Sequence, residues 1–158
     1  MRSFARHDEA ELKRVDIHNG LEDTLKLIQH EFGERIELIK SFSEVPEVVC
    51  YPGRLNQALV SLLLNACQAI RSTGTIELAT EVADGNVLIS VRDSGVGISP
   101  ENLQRVFEPG YTTKGVGVGT GLGLSICYQV MQDHQGQIRI ESEVGKGTTV
   151  TCILPLKF

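Results

Sequence analysis

The sequence contains no apolar run near the roughly eighteen residues that a membrane-spanning helix needs, and its first ten residues are charged rather than signal-like. It therefore reads as a cytoplasmic piece with no membrane contact of its own. Tryptophan is absent and aromatic residues make up 5%, which leaves little for a base-stacking surface. No basic run is longer than Lys13-Arg14, and 15 basic against 20 acidic residues give a net charge of −5, so nucleic acid is excluded as a partner. Cys50, Cys67, Cys127 and Cys152 are widely spaced, without a C-x-x-C or paired histidines. Neither a zinc site nor a disulfide framework is indicated, and free thiols are expected. A length of 158 residues with 41% hydrophobic content suits one domain with a single core.

Glycine is concentrated instead. In GVGVGTGLGLSI (115–126), Gly115, Gly117, Gly119, Gly121 and Gly123 alternate with other residues and stop at an apolar run. Glycine loses more backbone freedom on folding than any other residue, so the cluster must be offset by something its backbone does. Close approach to a phosphate at a helix start is the leading candidate. The dinucleotide pattern G-x-G-x-x-G fails from every start, its last position falling on Thr120, Leu122, Leu124 or Ile126. The Walker pattern fails as well, because Gly145-Lys146 is followed by Gly147 and has Ile140 where the first glycine belongs. A nucleotide here must be held by another scheme.

Periodicity predicts the elements. Residues 1–14 are polar and read as a linker or the tail of a removed segment, followed by a short strand over 15–18 and a helix over 20–33 carrying Leu21, Leu25, Ile28 and Phe32. Residues 35–42 and 48–51 read as extended. The longest helical pattern runs from Pro52 to about Ser72, with Leu55, Leu59, Leu62, Leu63, Ala66 and Ile70 on one side. Two strands, 75–82 and 86–92, flank the hairpin turn Asp84-Gly85. Residues 93–120 form a long glycine-rich connection with one helical piece near 101–106. A helix over 121–135 and strands over 137–143 and 148–155 complete an α+β layer, a mixed and largely antiparallel sheet with helices on one face.

Four segments are chemically distinctive. In LLLNACQAI (62–70), Asn65 shares a helix face with Ser61 and Gln68. That face is either a solvent-facing polar stripe or a cavity wall on which the Asn65 carbonyl oxygen can meet Mg²⁺, an ion content with few protein ligands beside phosphate. DSGVGIS (93–99) puts a carboxylate at a strand end. Asp93 is either an ordinary turn residue or an acceptor for an adenine amino group, with Gly95 and Gly97 admitting a flat ring. Charge assigns Asp93 to the base end, since a carboxylate repels a triphosphate, and leaves the phosphates to the glycines from Gly119 to Gly123. In VFEPGYTTKG (106–115), Lys114 precedes those glycines and can meet a β- or γ-phosphate, with Thr112 and Thr113 adding hydroxyls. GKGTTV (145–150) alone is a hairpin.

In this order the segments resemble the N, first glycine, F, second glycine and third glycine boxes of the histidine-kinase ATP-binding domain, over roughly residues 52–155. The wording FEPGYTTK followed by GTGLGLSI is closest to sensors of the nitrogen-regulation or dicarboxylate-sensing kind. The resemblance implies the Bergerat α/β sandwich shared with gyrase and Hsp90, over 15–158, with an ATP lid at about 99–120. It implies ATP and Mg²⁺ as cofactors, Mg²⁺ on Asn65, and the adenine amino group on Asp93. Gly97, Ile98 and Ala69 would line the base pocket, Thr148 would join its polar contacts, and Gly119, Thr120, Gly121, Leu122, Gly123 and Leu124 would hold the phosphates. Its implied partners are the dimerisation helices bearing the phosphoacceptor and a downstream response regulator.

Three positions depart from the family pattern. Ser61 stands where kinases carry a second asparagine and gyrase-type relatives the water-activating glutamate. This favours phosphoryl transfer over hydrolysis. Gln68 replaces a common phosphate-binding lysine, which shifts that task toward Lys114, and Gly110 replaces an aromatic of the F box. A serine kinase of the anti-sigma class and a gyrase- or Hsp90-like ATPase are the alternatives. No histidine of the sequence is framed as a phosphoacceptor: His7-Asp8-Glu9 lacks the following proline, and His18, His30 and His134 lack any framing.

Overall fold

The computed structural model describes residues 11–106 and 123–156. Its first strand, β1 (Lys13–Val15), pairs antiparallel with β3 (Val48–Cys50) in a separate two-stranded ribbon. Helix α1 (Ile17–Ile28) follows at once, because the Asp16 carboxylate accepts from the His18 N–H at 2.9 Å and caps it. The strand expected over 15–18 is therefore shifted: it lies at 13–15, and the N-cap turns Ile17 and His18 into helix. Lys13 and Arg14, expected as linker, belong to that strand. Ile17, Leu21, Leu25 and Ile28 form the buried stripe of α1.

Helix α2 (Pro52–Ala69) has proline in its first turn, where no N–H is missed, and buries Leu55, Leu59, Leu62, Leu63 and Ala66. It ends three residues short of the expected Ser72. Arg35 caps that end, its guanidinium donating to the carbonyls of Ile70 at 2.8 Å and Cys67 at 3.3 Å. The main sheet has the order β2-β4-β5-β7-β6, built from β2 (Ile36–Phe42), β4 (Gly74–Ala83), β5 (Asn86–Asp93), β6 (Gln137–Glu143) and β7 (Gly147–Pro155). Only β2 and β4 run parallel, joined by the crossover through α2; the other pairings are antiparallel. The expected mixed, largely antiparallel sheet is the one observed. At the β4–β5 turn Asp84 and Gly85 both have positive φ, 53° and 78°, as a two-residue hairpin of this type requires.

The short helix α3 (Pro100–Leu103) is capped by the Ser99 hydroxyl, so the piece expected at 101–106 begins one residue earlier and is brief. Helix α4 (Gly123–Asp133) completes the helical layer, which packs on one face of the sheet through Leu21, Leu59, Leu63, Ile76, Leu78 and Met131. No helix of the described residues is long and apolar enough to cross a membrane.

Helix α4 closes with Gln135 at φ 57°, the Gly136 N–H bonding the Met131 carbonyl and the Gln135 N–H that of Gln132, which is a Schellman ending. Between them His134 is 0% exposed. Its Nδ1 donates to the Val130 carbonyl at 2.7 Å and its Nε2 accepts from the Tyr51 N–H at 3.0 Å, so the ring is neutral. Burial pulls its pKa below the ordinary 6.5, and nearby Arg54 works in the same direction against the Val130 bond and Asp133. The unfolded chain then binds the extra proton first as the medium is acidified. Stability should be level above about pH 6.5 and fall progressively as the pH drops below it. Melting temperatures compared at about pH 7.5 and 5.5 check this: a steeper acid loss in the wild type than in His134→Gln is expected.

Candidate nucleotide site

The site is built where β5 ends. Asp93 is 8% exposed, its Oδ1 accepts from the Gly95 N–H at 2.8 Å, and it lies level with Thr148 of β7 in the sheet register. The loop after it turns onto the end of α2, where the Val96 N–H donates to the Ala69 carbonyl at 3.0 Å. Gly95 is needed for that contact, since a Cβ there would lie 2.5 Å from the Ala69 carbonyl oxygen and 2.8 Å from its Cβ. Gly97 has φ 76° and sits against the Glu143 carbonyl, and the Gly145 N–H donates to the Val96 carbonyl at 2.8 Å. The β6–β7 turn thereby buttresses the loop. By itself GKGTTV is a hairpin, and as the third glycine box it is expected to bring Thr148 to the site; in the fold Gly147 also lies against the Asp93 carbonyl, where no Cβ fits.

A small hydroxyl network fixes this end. Ser142 Oγ accepts from the Ile98 N–H at 2.8 Å, donates to the Gly147 carbonyl at 3.0 Å and lies 2.7 Å from Thr148 Oγ1. Having a single proton, which goes to Gly147, Ser142 must accept from Thr148. Thr148 is 8% exposed. Ser142 was not singled out from the sequence. Its signal is the strand pattern Ile138, Ile140, Ser142, in which a serine continues the inward face just ahead of the glycine turn.

Asn65 is half-buried on α2, with Ser61 half-buried one turn earlier and Gln68 exposed. The Asn65 amide makes no hydrogen bond among the described residues, so its oxygen suits a hard cation that takes one protein ligand beside phosphate. Among the described residues no three His, Cys, Asp or Glu side chains group as a metal cage. Helix α4 runs antiparallel to α2: the Cys127 thiol donates to the Ala58 carbonyl at 3.2 Å, and His134 meets Tyr51. Gly123 and the half-buried Leu124, at the start of α4, therefore lie on the Asn65 side of that contact. Thus Asn65, Ala69, Asp93, Gly95, Gly97, Ile98, Thr148, Gly123 and Leu124 belong to the same end of the domain. Thr112, Thr113, Lys114, Gly119, Thr120, Gly121 and Leu122 lie outside the described residues, as does most of the expected lid.

Other features do not compete for this role. A cleft of about 380 Å³ at the other end of α2 carries Asp16, Asp23 and Glu47 against Arg14, a charge balance that repels a triphosphate. The four cysteines are free and buried, and burial pushes Cys50 and Cys67 up to about 11 and Cys127 and Cys152 higher, so none is a nucleophile near neutral pH.

A two-layer α+β sandwich with a buried aspartate at a strand end, a glycine loop seated on the neighbouring helix and a second helix starting beside it has the Bergerat architecture. The model of the family described as "Histidine kinase-, DNA gyrase B-, and HSP90-like ATPase" matches residues 50–158, and the chain belongs to that family. It is 38% identical over 147 residues to the sensor histidine kinase ZraS of Escherichia coli K12, covering 92% of this chain and 31% of ZraS. It thus spans under a third of that relative's length. The catalytic domain of histidine kinase ThkA superposes with a TM-score of 0.83 at 28% identity, over 94% of this chain and 99% of that one. ThkA in complex with the response regulator TrrA gives a TM-score of 0.78 at 26% identity, covering 92% of this chain and 42% of that one. The chain is thereby homologous to the ATP-binding catalytic domains of sensor histidine kinases, and the serine-kinase and gyrase-like alternatives are not favoured.

Proposed function

We propose that this domain binds MgATP and transfers the γ-phosphate to a histidine on dimerisation helices outside this sequence, from which a response regulator is then served. The observation that carries the reading is the buried Asp93 carboxylate at the β5 end, next to Thr148 and to the loop seated on Ala69. Oδ1 accepts from the Gly95 N–H, and among the several lone pairs of the carboxylate those of the second oxygen are assigned to the adenine amino group. Ala69, Gly95, Gly97 and Ile98 bound the ring, with Thr148 completing the polar side. Gly119, Thr120, Gly121, Leu122, Gly123 and Leu124 are assigned to the phosphates, because N–H groups at a helix start favour an anion. Lys114 is assigned to the β- or γ-phosphate, and Thr112 and Thr113 to hydroxyl contacts with the same group.

Asn65 would hold Mg²⁺, which neutralises phosphate charge when bound. No side chain is assigned as a base: Ser61 cannot act as one, and phosphoryl transfer depends on positioning and charge neutralisation. Residues 99–120 would close as a lid and exclude water. ThkA, solved with the response regulator TrrA, supports the choice of partner. The reading places the domain in the cytoplasm, where ATP is supplied and thiols stay reduced. The finer assignment to a nitrogen-regulation or dicarboxylate-sensing type rests on the FEPGYTTK and GTGLGLSI wording.

Incubation with γ-labelled ATP tests the transfer step. The domain alone should acquire no acid-labile label, whereas added dimerisation helices bearing the phosphoacceptor should. Stable label on any histidine of this sequence would overturn the assignment. Gly121→Ala and Gly123→Ala should each weaken ATP binding far more than they lower the melting temperature. Unchanged ATP affinity in both variants would count against the phosphate loop.

A further inference from the structure

The far ends of α2 and α4 are tied together away from the proposed phosphate contacts. His134 couples the Val130 carbonyl in the last turn of α4 to the N–H of Tyr51, the N-cap residue of α2. Beside it Arg54 of α2 pairs with Asp133 of α4, and further along the Cys127 thiol meets the Ala58 carbonyl. Three polar ties thus set the angle between two antiparallel helices whose other ends carry Asn65 and Gly123. An eleven-residue helix is about 16 Å long, so a tilt of about 10° at its tied end moves its start by about 3 Å. A misplacement of about 1 Å can already cost a hundredfold in rate where reacting groups must be positioned, and phosphate contacts at a helix start depend on position in the same way.

We propose that His134 is a positioning residue for nucleotide phosphates, aiming the start of α4 by fixing its far end on α2. The proposal rests on the reading of the site given above. His134 touches no ligand. Its fully buried ring has one nitrogen as donor and the other as acceptor, which only the neutral form supplies, and a charged ring would face Arg54 as well as Asp133. The base end stands on β5, β7 and the far end of α2, the helix that serves as the joint's fixed side, so a tilt of α4 leaves it in place.

That separation gives the test. Dissociation constants for ATP and for adenosine, which reaches the base end alone, are measured on the whole chain at about pH 8 and well below its melting temperature. His134→Phe keeps a ring but removes the acceptor. It should weaken ATP binding about tenfold or more while adenosine stays within about twofold. His134→Gln, which restores an acceptor toward Tyr51, should return ATP affinity to within about threefold of the wild type. A loss shared equally by ATP and adenosine, no loss at all, or no rescue by glutamine overturns the proposal. Should H134F not fold, Arg54→Met opens the half-exposed ion pair of the same joint and should show an ATP-selective loss of about threefold. Unchanged ATP affinity in R54M then contradicts it. Wild-type protein that binds neither ligand overturns the underlying reading of the site, whereas wild-type binding with unselective loss overturns this joint alone.

Discussion

Asp93→Asn is expected to weaken ATP binding about a hundredfold while leaving the melting temperature almost unchanged. The asymmetry follows from which oxygen does what. Oδ1 accepts from the Gly95 N–H at 2.8 Å, and an asparagine oxygen can keep that bond, so the loop stays seated. The amide nitrogen must then replace the oxygen assigned to adenine. Two donors, the asparagine amide and the adenine amino group, now face each other in a nearly dry site. A hydrogen bond to a charged group is worth about 1.5–3 kcal/mol, and an unpaired buried donor adds to the loss. That corresponds to at least tenfold and about a hundredfold at the upper end. Titration calorimetry beside a thermal melt checks both halves; equal ATP affinity in D93N would remove Asp93 from the base pocket.

Gly97→Ala should act in the opposite order, as a folding lesion first. The residue has φ 76°, a conformation costing a side chain about 1 kcal/mol. Its new methyl would also meet the Glu143 carbonyl and the Val144 backbone, which cannot swing away as a side-chain tip can. Overpacking of that kind costs about 1–3 kcal/mol. The sum of about 2–4 kcal/mol predicts a fall of about 5–15 °C in melting temperature for a domain of this size. Because the same loop aligns the Ile98 N–H with Ser142, ATP affinity should fall as well. A G97A protein that melts with the wild type would show that the loop does not need its contact with the β6–β7 turn.

Much of this architecture was legible because it is local and periodic. The α2 stripe, the alternation of β4 and β5 and the Asp84-Gly85 turn are each specified by a few neighbouring residues. The shift of β1 shows where periodicity loses. Val15 to His18 alternates, yet the Asp16 side chain stabilises a helix start at Ile17, and the three-residue strand before it exists only because β3 pairs with it. The sheet order was equally out of reach, since the parallel pairing of β2 with β4 depends on the crossover through α2.

In the site, Asn65, Asp93 and the glycines stood out because each breaks a local rule. Ser142, Arg35 and His134 break none: their partners lie 5 or more positions away, apart from the Val130 carbonyl four residues before His134. Gly147 was visible as a turn glycine. Its contact with the Asp93 carbonyl exists only once β5 and β7 are paired.

One ATP should be held between the Asp93 end of β5 and the start of α4. Titration of ATP into the wild-type domain by calorimetry, with and without Mg²⁺, tests it most directly. One site per chain, tightened by Mg²⁺ and lost in D93N, is the predicted result. No heat of binding at millimolar ATP, or binding that D93N leaves intact, would contradict it.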